Sequence, residues 1–150
     1  MATKAVGDLR FGGYALTVAA VVLSCAGASA ELRAGRRGAV EEGKATYYAP
    51  RLAGHRTANG ERYDPAAMTA AHPVLPFGTW VRVTRLDGAK ADSRPNSRPD
   101  LRPSVVVRIN DRCAGGKKII DLSEAAARRL DMMRAGIVRV RLEVISRGAN

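Results

Sequence analysis

Cysteine, histidine and aromatic residues are all scarce in this chain. Its 150 residues include two cysteines, two histidines and only 5% Phe, Trp and Tyr. Cys25 and Cys113 lie far apart and cannot build a disulfide framework. A zinc ribbon needs about four Cys or His ligands in paired spacing; no such pairs exist, and no motif calls for a metal or an organic cofactor. Too few aromatics are present for a series of base-stacking platforms, and no recognition-helix pattern appears, so nucleic acid is not an expected partner. Acidic residues are short as well: 14 Asp and Glu face 25 Lys and Arg, a net charge of +11. What is plentiful is ordinary. With 46% hydrophobic and 26% charged residues, wholesale disorder is excluded, and the length points to one domain.

No hydrophobic run is long enough for a firm membrane span. Lys4 and Arg10 form a basic start, and Phe11 to Ala30 then carries no charge. Its most apolar part, Tyr14 to Leu23, has the length of a signal-peptide core rather than the roughly 20 strongly apolar residues of a span. Ala28-Ser29-Ala30 matches the small-residue cleavage pattern, so residues 1–30 read as a signal peptide cut after Ala30. A competing reading is Val22-Leu23-Ser24-Cys25, which resembles a lipobox and would make Cys25 a lipidation site. Soluble export to the periplasm or medium is the favoured reading, and a lipoprotein anchored through Cys25 is the alternative; only the second involves the membrane. Subtracting Lys4 and Arg10 from 25 and Asp8 from 14 leaves 23 basic and 13 acidic residues, net +10. An exported domain of that charge suits anionic envelope polymers, though several arginines simply alternate with apolar residues on strands.

Glu31 to Glu42 lacks periodicity and reads as a linker, with the domain at 43–147. Gly43 to Tyr48 reads as a first strand, and Arg51 to Tyr63 as a loop with turn chemistry at Asn59-Gly60. Asp64-Pro65 has the form of a helix start, predicting a short helix through Ala71. Strands are predicted at Thr79 to Leu86, Ser104 to Ile109 and Val138 to Ile145 from apolar residues alternating with polar ones, and at Ile119 to Leu122 from a short apolar run. Ser123 is placed to cap a helix over Glu124 to Met132. Short strands with short helices between them suggest a small closed barrel. Asp87 to Pro103, with three prolines and few apolar residues, reads as a flexible insertion between two strands.

Five blocks then carry a resemblance: Thr57-Ala58-Asn59-Gly60-Glu61, Ala67 to His72, Leu75-Pro76-Phe77-Gly78-Thr79, Val105 to Arg112 with its Asn110-Asp111-Arg112, and Ile119-Ile120-Asp121-Leu122-Ser123. In this order they resemble the RlpA-like family over roughly Gly43 to Val144. The resemblance implies a mainly β fold, a six-stranded double-psi β-barrel with one or two short helices. It also implies an exported peptidoglycan lytic transglycosylase. Such an enzyme cleaves the bond from N-acetylmuramic acid to N-acetylglucosamine and leaves a 1,6-anhydromuramic end, with a preference for peptide-poor strands. The partner would be the glycan strand, met by a monomer.

The residues offer matching chemistry. Strand alternation places Asp111 on the face of Val105, Val107 and Ile109, where the apolar run ends at a barrel mouth. Partial burial disfavours a carboxyl's charged form, which is what a general acid for a glycosidic oxygen requires. The resemblance assigns Asp111 that role, while local sequence alone favours a turn cap or an ion pair with Arg112. His72 is a candidate to orient sugar or tune Asp111, or a structural hydrogen-bonding histidine. Glu61 is a candidate catalytic or sugar-binding carboxylate, or a solvated turn residue. Tyr48, Asn59, Arg112 and Lys117 are candidate substrate contacts, and Asp121 is expected to bond backbone amides. The chain departs from the family pattern at Cys113 to Lys118, where Gly-Pro usually follows Asn-Asp-Arg; Cys113 reads as a small filler. That altered loop keeps open a second class, a non-catalytic wall-glycan-binding barrel of the expansin-like kind.

Overall fold

The computed structural model describes residues 29–87 and 102–148. The leader core, Cys25 and most of the expected insertion lie outside the described residues. Six strands form a closed barrel: β1 (Val40–Tyr47), β2 (Thr69–Ala71), β3 (Trp80–Arg85), β4 (Ser104–Asp111), β5 (Lys118–Leu122) and β6 (Val138–Ser146). Two short helices accompany them, α1 (residues 29–33) and α2 (Glu124–Arg129), with a 3-10 turn at Pro50–Leu52. Around the barrel the order is β1-β5-β2-β4-β3-β6. The β1–β5 and β2–β4 pairs are parallel and the other four antiparallel. Parallel neighbours cannot be joined by a tight hairpin, so the chain crosses between them, and those crossings carry the loops of the site.

Alternation explains the long strands. Val81 and Val83 of β3, Val105, Val107 and Ile109 of β4, and Val138, Val140, Leu142 and Val144 of β6 all point inward and are buried. Their neighbours Arg82, Arg139 and Arg141 are exposed. Ile120 and Leu122 of β5 complete the core. Where backbones crowd, side chains are small. A Cβ at Gly43 would lie 2.5 Å from Ile119 Cγ2, so β1 approaches β5 closely only because that side chain is missing. Ser123 caps α2, its hydroxyl accepting from Ala126 N at 3.3 Å.

Several local expectations are corrected. The helix predicted from Asp64 is absent. Asp64 instead closes a turn, accepting from Ala66 N at 2.8 Å, and Thr69–Ala71 become β2, fully buried between β4 and β5. Tertiary pairing overrides the helix preference of alanine there. β1 begins at Val40 rather than Gly43, because Val40 to Glu42 pair with Glu143 to Arg141 of β6. The segment before it is not featureless: Leu32 and Ala39 bury against the barrel. Ala30, the expected last leader residue, lies in α1 and accepts from Ala34 N at 3.0 Å. α2 ends at Arg129, three residues early, and Asp131 turns the chain with φ 52°.

Leu122, wholly buried where β5 meets both β1 and β2, should tolerate truncation poorly. Leu122→Ala is expected to cost about 2–5 kcal/mol, against about 1 kcal/mol for loss of the cap in Ser123→Ala. Urea unfolding checks this as a lowered midpoint with an unchanged slope.

Candidate functional site

The site forms where the end of β4 meets the 57–61 loop. The β2–β4 register slips between Ala70 and Ala71, which pair with Ile109 and Asp111 and skip Asn110. This bulge leaves Asn110 without a partner in β2. Ile109 and Asn110 are both buried, at 0% and 2% exposure, and Asn110 and Asp111 both engage the same loop. Asn110 O accepts from Asn59 N at 3.2 Å, and Ala58 N donates to Asp111 Oδ1 at 2.7 Å.

Asp111 is therefore half-buried and held by three donors. Ala58 N and its neighbour Arg112 N (2.8 Å) both donate to Oδ1. Tyr48 Oη donates to Oδ2 at 2.5 Å. Burial first, and then the Asp111 carboxylate, push the Tyr48 phenol far above its ordinary value, so it stays a neutral hydroxyl. The Tyr48 ring packs on Tyr63 with centroids 4.6 Å apart. Tyr63 Oη in turn accepts from Glu124 N at the start of α2, at 3.2 Å. Tyr48 thus serves Asp111 through its hydroxyl, while its ring is occupied by Tyr63.

Glu61 is clamped. Arg108 donates through Nη1 and Nη2 to its two oxygens at 2.9 and 2.7 Å, and Asn110 Nδ2 adds a bond of 3.0 Å. The Arg108 bonds first and the Asn110 bond next hold the Glu61 carboxyl down at about 2. It is a fixed anion rather than a proton donor. Asn59 shapes the loop from within, its Oδ1 accepting from Thr57 Oγ1 (2.7 Å) and Glu61 N (3.1 Å).

His72 is brought close to Asp111 by its backbone and not by its ring. His72 N donates to Asp111 O at 3.2 Å. The ring is buried, with Nδ1 accepting from Val74 N and Leu75 N at 3.2 and 3.1 Å. Nδ1 is therefore the unprotonated nitrogen, and Nε2 donates to Glu41 Oε2 at 3.1 Å. The ring organises the turn after β2. Arg112 lies over Phe77, 3.8 Å from the ring centroid, and reaches His72 O at 3.3 Å. Lys117 is exposed on the 113–118 loop.

Among the described residues Asp121 bonds side chains in place of the expected backbone amides. Its carboxylate takes the Thr46 hydroxyl and, at 2.6 Å, Lys118 Nζ. Cys113 sits nearby with Sγ 3.6 Å from Ala71 O. Burial, with Asp121 next, pushes its thiol up to about 11, so it remains a thiol and fits the filler role. Sequence reasoning missed Arg108 and Asn110 as partners of Glu61. Each is 47 or 49 positions from it, and only the folding of the 57–61 loop over β4 brings Glu61 onto them. Among the described residues no group of three or more His, Cys, Asp or Glu could hold a metal ion, and no helix is long and apolar enough to cross a membrane.

Comparison with known proteins places these features. The family described as lytic transglycolase matches residues 40–142. The endolytic peptidoglycan transglycosylase RlpA of Vibrio cholerae is 43% identical over 111 residues, 73% of this chain and 37% of that protein. The protein of the same name from Campylobacter jejuni is 41% identical over 114 residues, 75% of this chain and 37% of that one. The chain thus spans little more than a third of the length of these relatives. Among solved structures, a Streptomyces papain inhibitor superposes with a TM-score of 0.53 at 23% identity, over 74% of this chain and 98% of that one. An expansin of Clavibacter michiganensis in complex with cellohexaose gives 0.51 at 22% identity, over 74% and 52%. At these identities the two structures bear on the fold, which they share.

The clamp predicts a pH signature. A carboxyl held below its unfolded value contributes stability that is present above that value, 4.5, and lost as pH falls toward about 2. The Glu61 side-chain carboxyl should titrate near 2 by carbon-detected NMR, and Arg108→Ala should move its midpoint up toward 4.5.

Proposed function

The chain belongs to the lytic transglycolase family of double-psi β-barrels, and from that membership and the setting of Asp111 we propose that it is an exported endolytic peptidoglycan transglycosylase. It cleaves the bond from N-acetylmuramic acid to N-acetylglucosamine in peptide-poor strands and leaves a 1,6-anhydromuramic end. The observation that carries this reading is the asymmetric cradle of Asp111, with two backbone N–H groups on one oxygen and a neutral phenol on the other.

The asymmetry decides which oxygen works. Backbone amides only donate, so Oδ1 is held as an acceptor throughout. A hydroxyl donates or accepts, so Tyr48 Oη accommodates Oδ2 both with and without a proton. Oδ2 delivers its proton to the glycosidic oxygen as the bond from muramic C1 to that oxygen breaks. It then takes the proton of the same sugar's 6-hydroxyl as O6 bonds to C1. The proton count closes on one carboxyl and no water is consumed, so the second carboxylate of ordinary glycosidases is not needed.

Glu61 and His72 support this acid as positioning residues. Glu61, clamped by Arg108 and Asn110, holds the loop that presents Ala58 N. His72 sets the turn whose backbone pairs with Asp111 O. Arg112 and Lys117 border the groove as substrate contacts of positive charge. Export follows from the substrate, which lies outside the cytoplasm.

Incubation of the protein with peptide-free glycan strands should release anhydromuramyl products, read by mass spectrometry. Asp111→Asn keeps the shape but neither delivers nor accepts the proton, and should lower release about 10²–10⁴-fold. Tyr48→Phe, which removes one hydrogen bond to a charged group, should lower it roughly tenfold to a hundredfold. A wild-type protein that binds glycan yet releases no anhydro product would instead be a wall-binding barrel.

A further inference from the structure

Trp80 is the single tryptophan of the chain, and it is not in the core. It stands on the outer face of β3, 40% exposed, with Val106 at 39% exposure on the same face of β4. The register makes them diagonal neighbours: Trp80 lies opposite Arg108, and Val106 opposite Arg82. Diagonal side chains of an antiparallel pair are within reach of a ring as large as indole. The patch is thus an aromatic plate extended by a valine and flanked by two arginines. β3 and β4 are each paired on both sides, so no further strand can add here; the face offers side chains alone.

Through Arg108 this plate adjoins the 57–61 loop that holds the proposed acid. Arg108, directly opposite Trp80, is the residue that grips Glu61. Glu61 ends the loop whose other end, at Ala58, donates to Asp111. Arg108 and Asp111 are three residues apart on one strand, roughly 10 Å. A glycan that is several sugars long and has its reacting bond at Asp111 reaches the plate along the outside of the 57–61 loop.

Resting on the functional reading above, we propose that Trp80 forms a distal glycan-binding subsite in which a sugar ring stacks on the indole. The chemistry suits a pyranose. One face of such a ring presents C–H groups of slight positive charge, which the negative face of an aromatic attracts. Its rim presents hydroxyls, which Arg82, Glu143 and Arg108 can hydrogen-bond. Arg82 and Glu143 pair at 3.5 Å with both side chains about half exposed, so the pair is open to exchange with a ligand. Such a subsite makes the barrel favour long strands over short fragments, because only a long strand engages Asp111 and Trp80 together.

Because Trp80 is the sole tryptophan, its fluorescence reports on this face directly. The chain carrying Asp111→Asn, which prevents turnover, is titrated with peptide-free glycan strands sorted by length, and binding is followed in parallel by co-sedimentation. A saturable blue shift of emission with long strands is expected. Trp80→Ala should weaken binding of long strands about tenfold, with the loss shrinking as strands shorten, and Trp80→Phe should recover part of it. Co-sedimentation with unchanged emission, or equal affinity of Trp80→Ala for long strands, overturns the subsite and leaves the catalytic reading standing. A shift that follows protein concentration instead of glycan makes the face a contact between copies and overturns the subsite too. Absence of any glycan binding overturns both.

Discussion

The three residues Thr69–Ala71 close this barrel, and the geometry of the site follows from how they do it. They pair parallel to β4 on one side and antiparallel to β5 on the other, and all three are buried. Small side chains are required, since the strand runs with packed barrel on every side. Its pairing with β4 slips by one residue at Asn110. Asn110, on the same face as Arg108, reaches Glu61 with its side chain and Asn59 with its carbonyl, and the carboxyl of Asp111 accepts from Ala58 N of the same loop.

Around this junction, charge is distributed so that two neighbouring carboxylates differ in kind. Glu61 has a guanidinium and an amide on its oxygens and is a permanent anion. Asp111 has no cationic group on its carboxylate among the described residues; it has two peptide N–H groups and a phenol kept neutral by burial. A carboxylate that pairs with arginine spends its acceptor capacity on structure. One that faces a hydroxyl keeps an oxygen free to exchange a proton. The same division explains the histidine, whose nitrogens are both engaged with Glu41 and the turn amides. The surroundings separate chemistry from scaffolding more sharply than the residue types do.

Several particulars were legible in the sequence. The alternating valines of β3, β4 and β6, the Ser123 cap and the order of the five blocks pointed to a small closed barrel with Asp111 at its mouth. Others were not. Thr69-Ala70-Ala71 is too short to show a period, and Asp64-Pro65 before it imitates a helix start. The pairing of Val40 to Glu42 with β6 has no local signal, since those residues are mostly exposed. Arg108 and Asn110 look like ordinary outward residues of β4 until the loop bearing Glu61 folds over them.

Composition and pattern by themselves determined the basic character and the alternating strands, and the resemblance carried by five short blocks pointed to the double-psi barrel and to Asp111 as the candidate acid, because alternation and short motifs are local properties written along the chain. The partners of each carboxylate, the donors on each oxygen of Asp111, and the place of the lone tryptophan on the outer face of β3 were decided only by tertiary structure. Those outcomes depend on how β2 seats between β4 and β5 and on partners dozens of positions away. A linear pattern has no means of expressing either, since both arise from how the barrel closes on itself.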